Sequence, residues 1–148
     1  MEELQLKESI KFFFNTISKL KKDGLFSSDK YLGDIGEKIC EHLYGITLCE
    51  NGRQVGYDGT IGTVKYQIKL HNSPTRTNVY LGNPDKYDKL LLVIGFNSLL
   101  KKHSTPDSFA VYEFDSTTIK NNYSNNSGYS FGKNEIPTAY KDLFVFNQ

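Results

Sequence analysis

Gly56-Tyr57-Asp58-Gly59-Thr60-Ile61-Gly62-Thr63-Val64-Lys65-Tyr66-Gln67-Ile68-Lys69-Leu70-His71 is the stretch on which the reading of this 148-residue chain turns. Its second half alternates, with Val64, Tyr66, Ile68 and Leu70 on one side and Lys65, Gln67, Lys69 and His71 on the other. Period-two alternation predicts a half-buried β-strand with a polar working face. Gly62-Thr63 suits a two-residue turn with glycine at its first central position, and folding the chain there pairs Ile61 with Val64, Thr60 with Lys65 and Asp58 with Gln67. Opposite Cβ atoms on paired strands lie about 5 Å apart. The hairpin therefore predicts an acid, an amide and, from Lys69 two residues on, an ammonium meeting at one spot.

Moving outward, Gly36-Glu37-Lys38-Ile39-Cys40-Glu41-His42-Leu43-Tyr44-Gly45 reads as the end of a helix: Ile35, Ile39 and Leu43 stack along one side, and Gly45 suits the position just past the last turn. Ser27-Ser28-Asp29 offers candidate caps for its start. Glu37 falls on the face away from Ile39, with Glu41 and Tyr44. On the helix alone an acid there reads as solvated surface, and it becomes part of a site only in combination with the hairpin motif downstream.

Asp58 followed by Gln67-Ile68-Lys69 resembles the PD-(D/E)XK nuclease signature, in its Gln-x-Lys form, and the likeness extends over residues 33 to 96. The helix around Glu37 is similar to the one that supplies a further acid in many such enzymes. Tyr57 rather than Pro precedes Asp58, and Gln67 stands where a carboxylate is usual. The resemblance implies an α/β fold with a restriction endonuclease-like core, a mixed central β-sheet flanked by helices. It also implies a Mg²⁺-dependent DNA endonuclease, similar in layout to small type II restriction enzymes, with Mn²⁺ as a substitute metal. In the implied site Asp58, Gln67, the Ile68 carbonyl and Glu37 hold the cation. Lys69 stabilises the charge that develops at phosphorus or holds the attacking water. Because one such site cuts one strand, a homodimer acting on DNA is the expected assembly. The rival from a different class is a nucleic-acid-binding or interaction module on the same fold whose site has decayed, a reading that Gln67 favours.

Composition bounds these expectations. A chain with 38% hydrophobic and 14% aromatic residues is large enough for one real core and predicts a single domain over residues 1 to 148. Eighteen basic against seventeen acidic residues give a formal charge of +1, so a nucleic-acid surface has to be local. The two cysteines form no CxxC pair and the three histidines lack zinc-ligand spacing, which argues against a structural zinc or a disulfide scaffold. No leader or membrane-length apolar run is legible, and the expected setting is the cytoplasm, without a membrane partner.

The remaining elements follow from periodicity. Leu6, Ile10, Phe13, Phe14, Ile17 and Leu20 recur at helical spacing, with Gly24 as a stop; their stripe is either a core face or a dimer seam. Ile46 to Cys49 starts a strand, Glu50-Asn51-Gly52 makes a bend, and Arg53 and Gln54 beside it are candidate DNA contacts. His71 to Asn78 is polar, contains Pro74 and predicts a loop in which His71, Asn72 and Arg76 face DNA. Leu90 to Phe96 predicts a strand buried on both faces, Phe109 to Phe114 another, and Asp115-Ser116 the cap of a short helix through Lys120. Residues 122 to 134, rich in Asn, Ser, Gly and Tyr, read as a surface loop or as a wall that stacks rings on bases. Tyr140 to Phe146 predicts a last strand. The expected order is α-α-β-β-β-β-β.

Overall fold

A computed structural model describes residues 1–25, 31–50, 56–126 and 128–147. The first helix, α1 (Glu3–Lys22), buries Leu6 and Ile10. Phe14 reaches an aromatic group with Phe96, Phe109 and Phe146, its ring centroids 5.1 to 5.9 Å from theirs. The stripe is thus a core face. The second helix, α2 (Leu32–Tyr44), ends at Gly45, whose φ of 68° is the left-handed conformation that glycine adopts without a Cβ penalty. The caps expected at Ser27, Ser28 and Asp29 lie outside the described residues.

The strands follow as β1 (Thr47–Leu48), β2 (Gly59–Ile61), β3 (Val64–His71), β4 (Asn78–Tyr80), β5 (Lys89–Ile94) and β6 (Ser108–Asp115). After α3 (Ser116–Asn122) come β7 (Ser124–Asn125), β8 (Gly128–Gly132) and β9 (Asp142–Val145). One sheet has six strands in the order β1-β2-β3-β5-β6-β9, and it is mixed: β3 and β5 run parallel while its other neighbours are antiparallel. A second sheet has three strands in the order β4-β8-β7. The α/β architecture with a mixed sheet and flanking helices is as expected.

Two apolar clusters lie against the two faces of the larger sheet. On one, Tyr66, Ile68, Leu91 and Val93 meet Leu6 and Ile10 of α1 and Ile39 and Cys40 of α2. On the other, Leu90, Leu92 and Ile94 meet Val79 of β4, Phe131 of β8 and Ile119 of α3. Leu90 to Ile94 are 0% exposed, which is why this run carries no alternation.

Three expectations change here. The strand β3 alternates as read, but its polar side is not open along its length: Gln67 is 9% and His71 0% exposed. The second sheet and α3 cover that side. Residues 122 to 134 are not a plain loop, because Ser124 to Gly132 supply β7 and β8, and the expected loop after β3 runs into β4. These strands are two, three and five residues long, too short for a periodic signal to rise above a polar background.

The approach of α2 to β3 depends on a missing side chain. A Cβ on Gly36 would lie 3.1 Å from Leu70 Cβ and 3.2 Å from Leu70 Cδ1. Gly36→Val should therefore lower stability by about 1–3 kcal/mol through overpacking and move Glu37 outward, read as a lower urea midpoint at unchanged m-value. An unaltered midpoint would show that the helix has slack at this contact.

Among the described residues no helix is long and apolar enough to cross a membrane.

Candidate metal and phosphate site

The hairpin register is the one read from the sequence as far as it goes: Ile61 pairs with Val64, Thr60 with Lys65, and Gly59 with Tyr66. It stops there. Asp58 N donates to Tyr66 O at 2.8 Å, and Cys49 N donates to Asp58 O at 2.9 Å, so Asp58 leaves the ladder and does not stand across from Gln67. Its carboxylate turns instead to the edge of β3, where Oδ2 accepts the Ile68 backbone N–H at 2.7 Å. An amide and carbonyl of one strand residue point to the same edge, so the Ile68 carbonyl faces the side from which Asp58 approaches.

Glu37 meets Asp58 from α2. Burial, then the Asp58 charge, then that of Asp34, push the Glu37 carboxyl up to about 7, and a hydrogen bond with Asp58 acts in the same direction. Among the described residues neither Glu37 nor Asp58 forms an ion pair with a lysine or arginine. Two carboxylates held together without a cation repel one another unless a proton or a metal lies between them. Among the described residues no three His, Cys, Asp or Glu side chains come together as a ligand set. A cation held here would take these two acids and complete its shell with neutral oxygens and water, which suits Mg²⁺ better than a soft metal.

Gln67 and Lys69 leave β3 on the opposite side from α2 and converge at Gly82. A Cβ on Gly82 would lie 3.7 Å from Gln67 Nε2 and 3.9 Å from Lys69 Cε. Gly82 has φ 73°, a backbone conformation suited to glycine, and the loop lies over both side chains. The structure thus brings together Glu37 with Asp58, Asp58 with the Ile68 amide, and Gln67 with Lys69. Ile68 sits between Gln67 and Lys69, so both groups are anchored within three consecutive residues of β3.

The residues read as DNA contacts divide. Arg76 is exposed on the loop after β3, and its N–H is bound to Ser73 Oγ at 3.0 Å. His71 and Asn72 are corrections. His71 is fully buried, its Nδ1 lies 2.7 Å from Ser98 Oγ, and burial, then the Arg76 charge, lower its pKa. Asn72 is 7% exposed; its Oδ1 accepts the Asn97 N–H at 2.8 Å and fills the space above Gly95, where a Cβ would come within 2.2 Å of it. Both clamp the β5–β6 connection to the end of β3 and cannot meet a duplex. Arg53 and Gln54 lie outside the described residues.

The sequence reading missed Asp34 and Gly82. Asp34 stands three positions before Glu37, a spacing that puts helical side chains on neighbouring ground, and it was legible in principle. Gly82 had no local signal, since only the fold brings it to β3.

The paired acids carry a pH dependence. With the folded Glu37 carboxyl raised from 4.5 to about 7, the folded state binds this proton more tightly than the unfolded chain. That contribution is complete below about pH 4.5 and is lost as pH rises through about 7. In metal-free protein, Glu37→Gln should gain Tm relative to the parent between about pH 5 and about pH 8, and added Mg²⁺ should raise the parent's Tm most at the upper end. Parallel Tm curves for the two proteins would show that the carboxylates do not share a site. No protein-family model matches the sequence, and no curated protein matches it.

Proposed function

We propose that this chain is a Mg²⁺-dependent endodeoxyribonuclease of the restriction endonuclease-like, PD-(D/E)XK type, in the Gln-x-Lys variant. The observation that carries the reading is the Glu37–Asp58 carboxylate pair, free of ion pairs among the described residues and tied by Asp58 to the Ile68 amide, with Gln67 and Lys69 on either side of Ile68. Glu37 and Asp58 would hold the cation, with the Ile68 carbonyl as a neutral oxygen donor; the Gln67 amide, which leaves β3 on the side away from α2, would join them only around the edge of the strand. Bound there, a divalent cation polarises a phosphate and lowers the pKa of a water. Asp58 is held in place by its bond to Ile68, so its second oxygen is oriented before a ligand arrives. Lys69, whose stem passes beside Gly82, would offer its ammonium to a phosphate oxygen that gains charge as the diester breaks. Arg76 fits a backbone phosphate contact outside the reacting centre. Because one centre cleaves one strand, a homodimer is the assembly proposed for a double-strand cut.

The decayed-module alternative draws on one observation: Asp58 and Gln67 do not face each other across the ladder. Incubating the pure protein with plasmid, linear duplex and RNA in Mg²⁺, Mn²⁺ or EDTA separates the two. Cleavage of DNA that needs metal supports the nuclease; binding without cleavage in either metal supports the module.

A further inference from the structure

We infer that the outer face of the three-stranded sheet is a stacking platform for unpaired nucleotides, with Tyr80 as its central ring, feeding a single strand into the Gln67–Lys69 centre. The inference rests on the proposed nuclease reading and names its substrate class.

The face follows from register. In β4 and β8, Val79 pairs with Phe131, and both point into the core. Their neighbours must therefore point outward: Tyr80 pairs with Ser130 and Asn78 with Gly132. Tyr80 is 58% exposed, although a tyrosine ring of this size is usually packed or partnered. Asn125 of β7 donates from Nδ2 to Ser130 Oγ at 2.6 Å, which fixes the polar surround of the ring. The side chains Asn78, Tyr80, Ser130 and Asn125 carry donors and acceptors but no charge. An uncharged hydrogen-bonding surface around a ring suits base edges and base faces, and to a phosphate backbone it offers neutral donors without counter-charge.

The charges lie at the two ends of β4. Arg76 and Lys133 are exposed beyond its start; Lys69, at Gly82, and exposed Lys86 lie beyond its end. From residue 76 to residue 82 an extended chain covers about 20 Å. Cations at both ends of an uncharged aromatic face complement a strand whose phosphates run along the rim and whose bases turn inward to the ring. Glu135, beside Gly132, is a carboxylate at the Arg76 end, and Asp85 is occupied by Lys120 at 2.8 Å.

Continuity with the centre is short. Tyr80 precedes Gly82 by two residues, so their Cα atoms are at most about 7 Å apart, and the backbone at Gly82 passes close enough to Gln67 and Lys69 that an added Cβ would reach van der Waals distance of both. A strand stacked on Tyr80 would have to pass over the end of β4 at Gly82 to bring a phosphate to the Lys69 ammonium. Duplex DNA, with its bases paired and stacked, offers the ring no free face.

The test is fluorescence anisotropy with labelled oligonucleotides in EDTA, which removes cleavage from the readout, using single-stranded DNA, the same sequence as a duplex, and single-stranded RNA. The parent should prefer single strands to duplex. Tyr80→Ala should weaken single-strand binding by about tenfold, and Tyr80→Phe should retain it, because stacking needs the ring and not the hydroxyl. The salt slope of binding should stay as in the parent, since no phosphate contact is removed. Equal effects of Tyr80→Ala on duplex and single strand, or none on either, would overturn the platform. Tyr80-dependent binding in a protein that never cleaves would keep the platform and remove the nuclease. Metal-dependent duplex cleavage indifferent to Tyr80 would do the reverse. RNA bound like single-stranded DNA supports the platform, and RNA alone bound through Tyr80 overturns its assignment to deoxynucleotides. Tyr80→Ala removes an exposed side chain, so a circular dichroism melt matching that of the parent is expected alongside.

Discussion

Lys69→Ala should reduce metal-dependent DNA cleavage by about a hundred- to a thousandfold, the cost of removing one preorganised group from developing charge. The fold should survive, because Lys69 is only partly buried and forms no ion pair among the described residues. Asp58 needs a gentler change than alanine. Its carboxylate accepts the Ile68 N–H at 2.7 Å, so truncation leaves that strand amide without its acceptor and mixes a structural loss with a catalytic one. Asp58→Asn keeps an oxygen for Ile68 and removes the charge. It should lose cleavage to at least the same extent while Tm changes little, whereas Asp58→Ala should lose both. The checks are single-turnover cleavage of linear duplex and of single-stranded DNA in Mg²⁺ and thermal melts of all three variants. Full activity in Lys69→Ala and Asp58→Asn would place the chemistry elsewhere in the molecule.

Gln67→Glu should produce the second large effect, in opposite directions for the empty and the loaded protein. A third carboxylate anchored beside Ile68 adds negative charge across β3 from the acid pair in which the Glu37 carboxyl is pushed up to about 7. Metal-free stability at neutral pH should fall, because Gln67 is 9% exposed and desolvating a carboxylate there costs more than the neighbouring Lys69 ammonium returns. Mg²⁺ affinity should rise by about tenfold or more, since a carboxylate brings net charge where an amide brings only a dipole. In the parent, metal should bind loosely until a substrate phosphate adds its own oxygens. Calorimetric titration of Mg²⁺ with and without non-cleavable DNA, in parent and variant, reads both statements. Identical affinities in all four titrations would show that the Gln67 side chain does not reach the cation.

Which parts of this arrangement the sequence made visible follows from where the information sits. The turn at Gly62-Thr63, the alternation of β3 and the unbroken apolar run of β5 are local patterns, and each produced its element. Glu37 and Asp58 could be nominated because their spacing to Gln67-Ile68-Lys69 resembles the nuclease signature; helix periodicity alone left Glu37 on a solvated face. The departure of Asp58 from the ladder was not legible. It depends on a side-chain oxygen outcompeting a backbone carbonyl for the Ile68 amide, a choice between two acceptors that spacing alone does not decide. The burial of His71 was hidden for a similar reason: its partner Ser98 lies 27 positions away, and the second sheet that covers it is built from short polar strands. Loop residues that look solvated by composition can be clamps once a distant segment docks on them.

The parallel pairing of β3 with β5 obliges the chain between them to cross over the sheet, and that connection carries β4 and Gly82. The Glu37–Asp58 pair and the Gln67–Lys69 pair are consequently set by α2, the hairpin and the crossover, three stretches that no local folding event brings together. A chain emerging during synthesis would possess the lysine and both acids long before β8 arrives to seat β4 and close the loop over them. On the proposed nuclease reading, cutting power would come only with the finished molecule, and immature or partly opened copies would be harmless to the DNA around them.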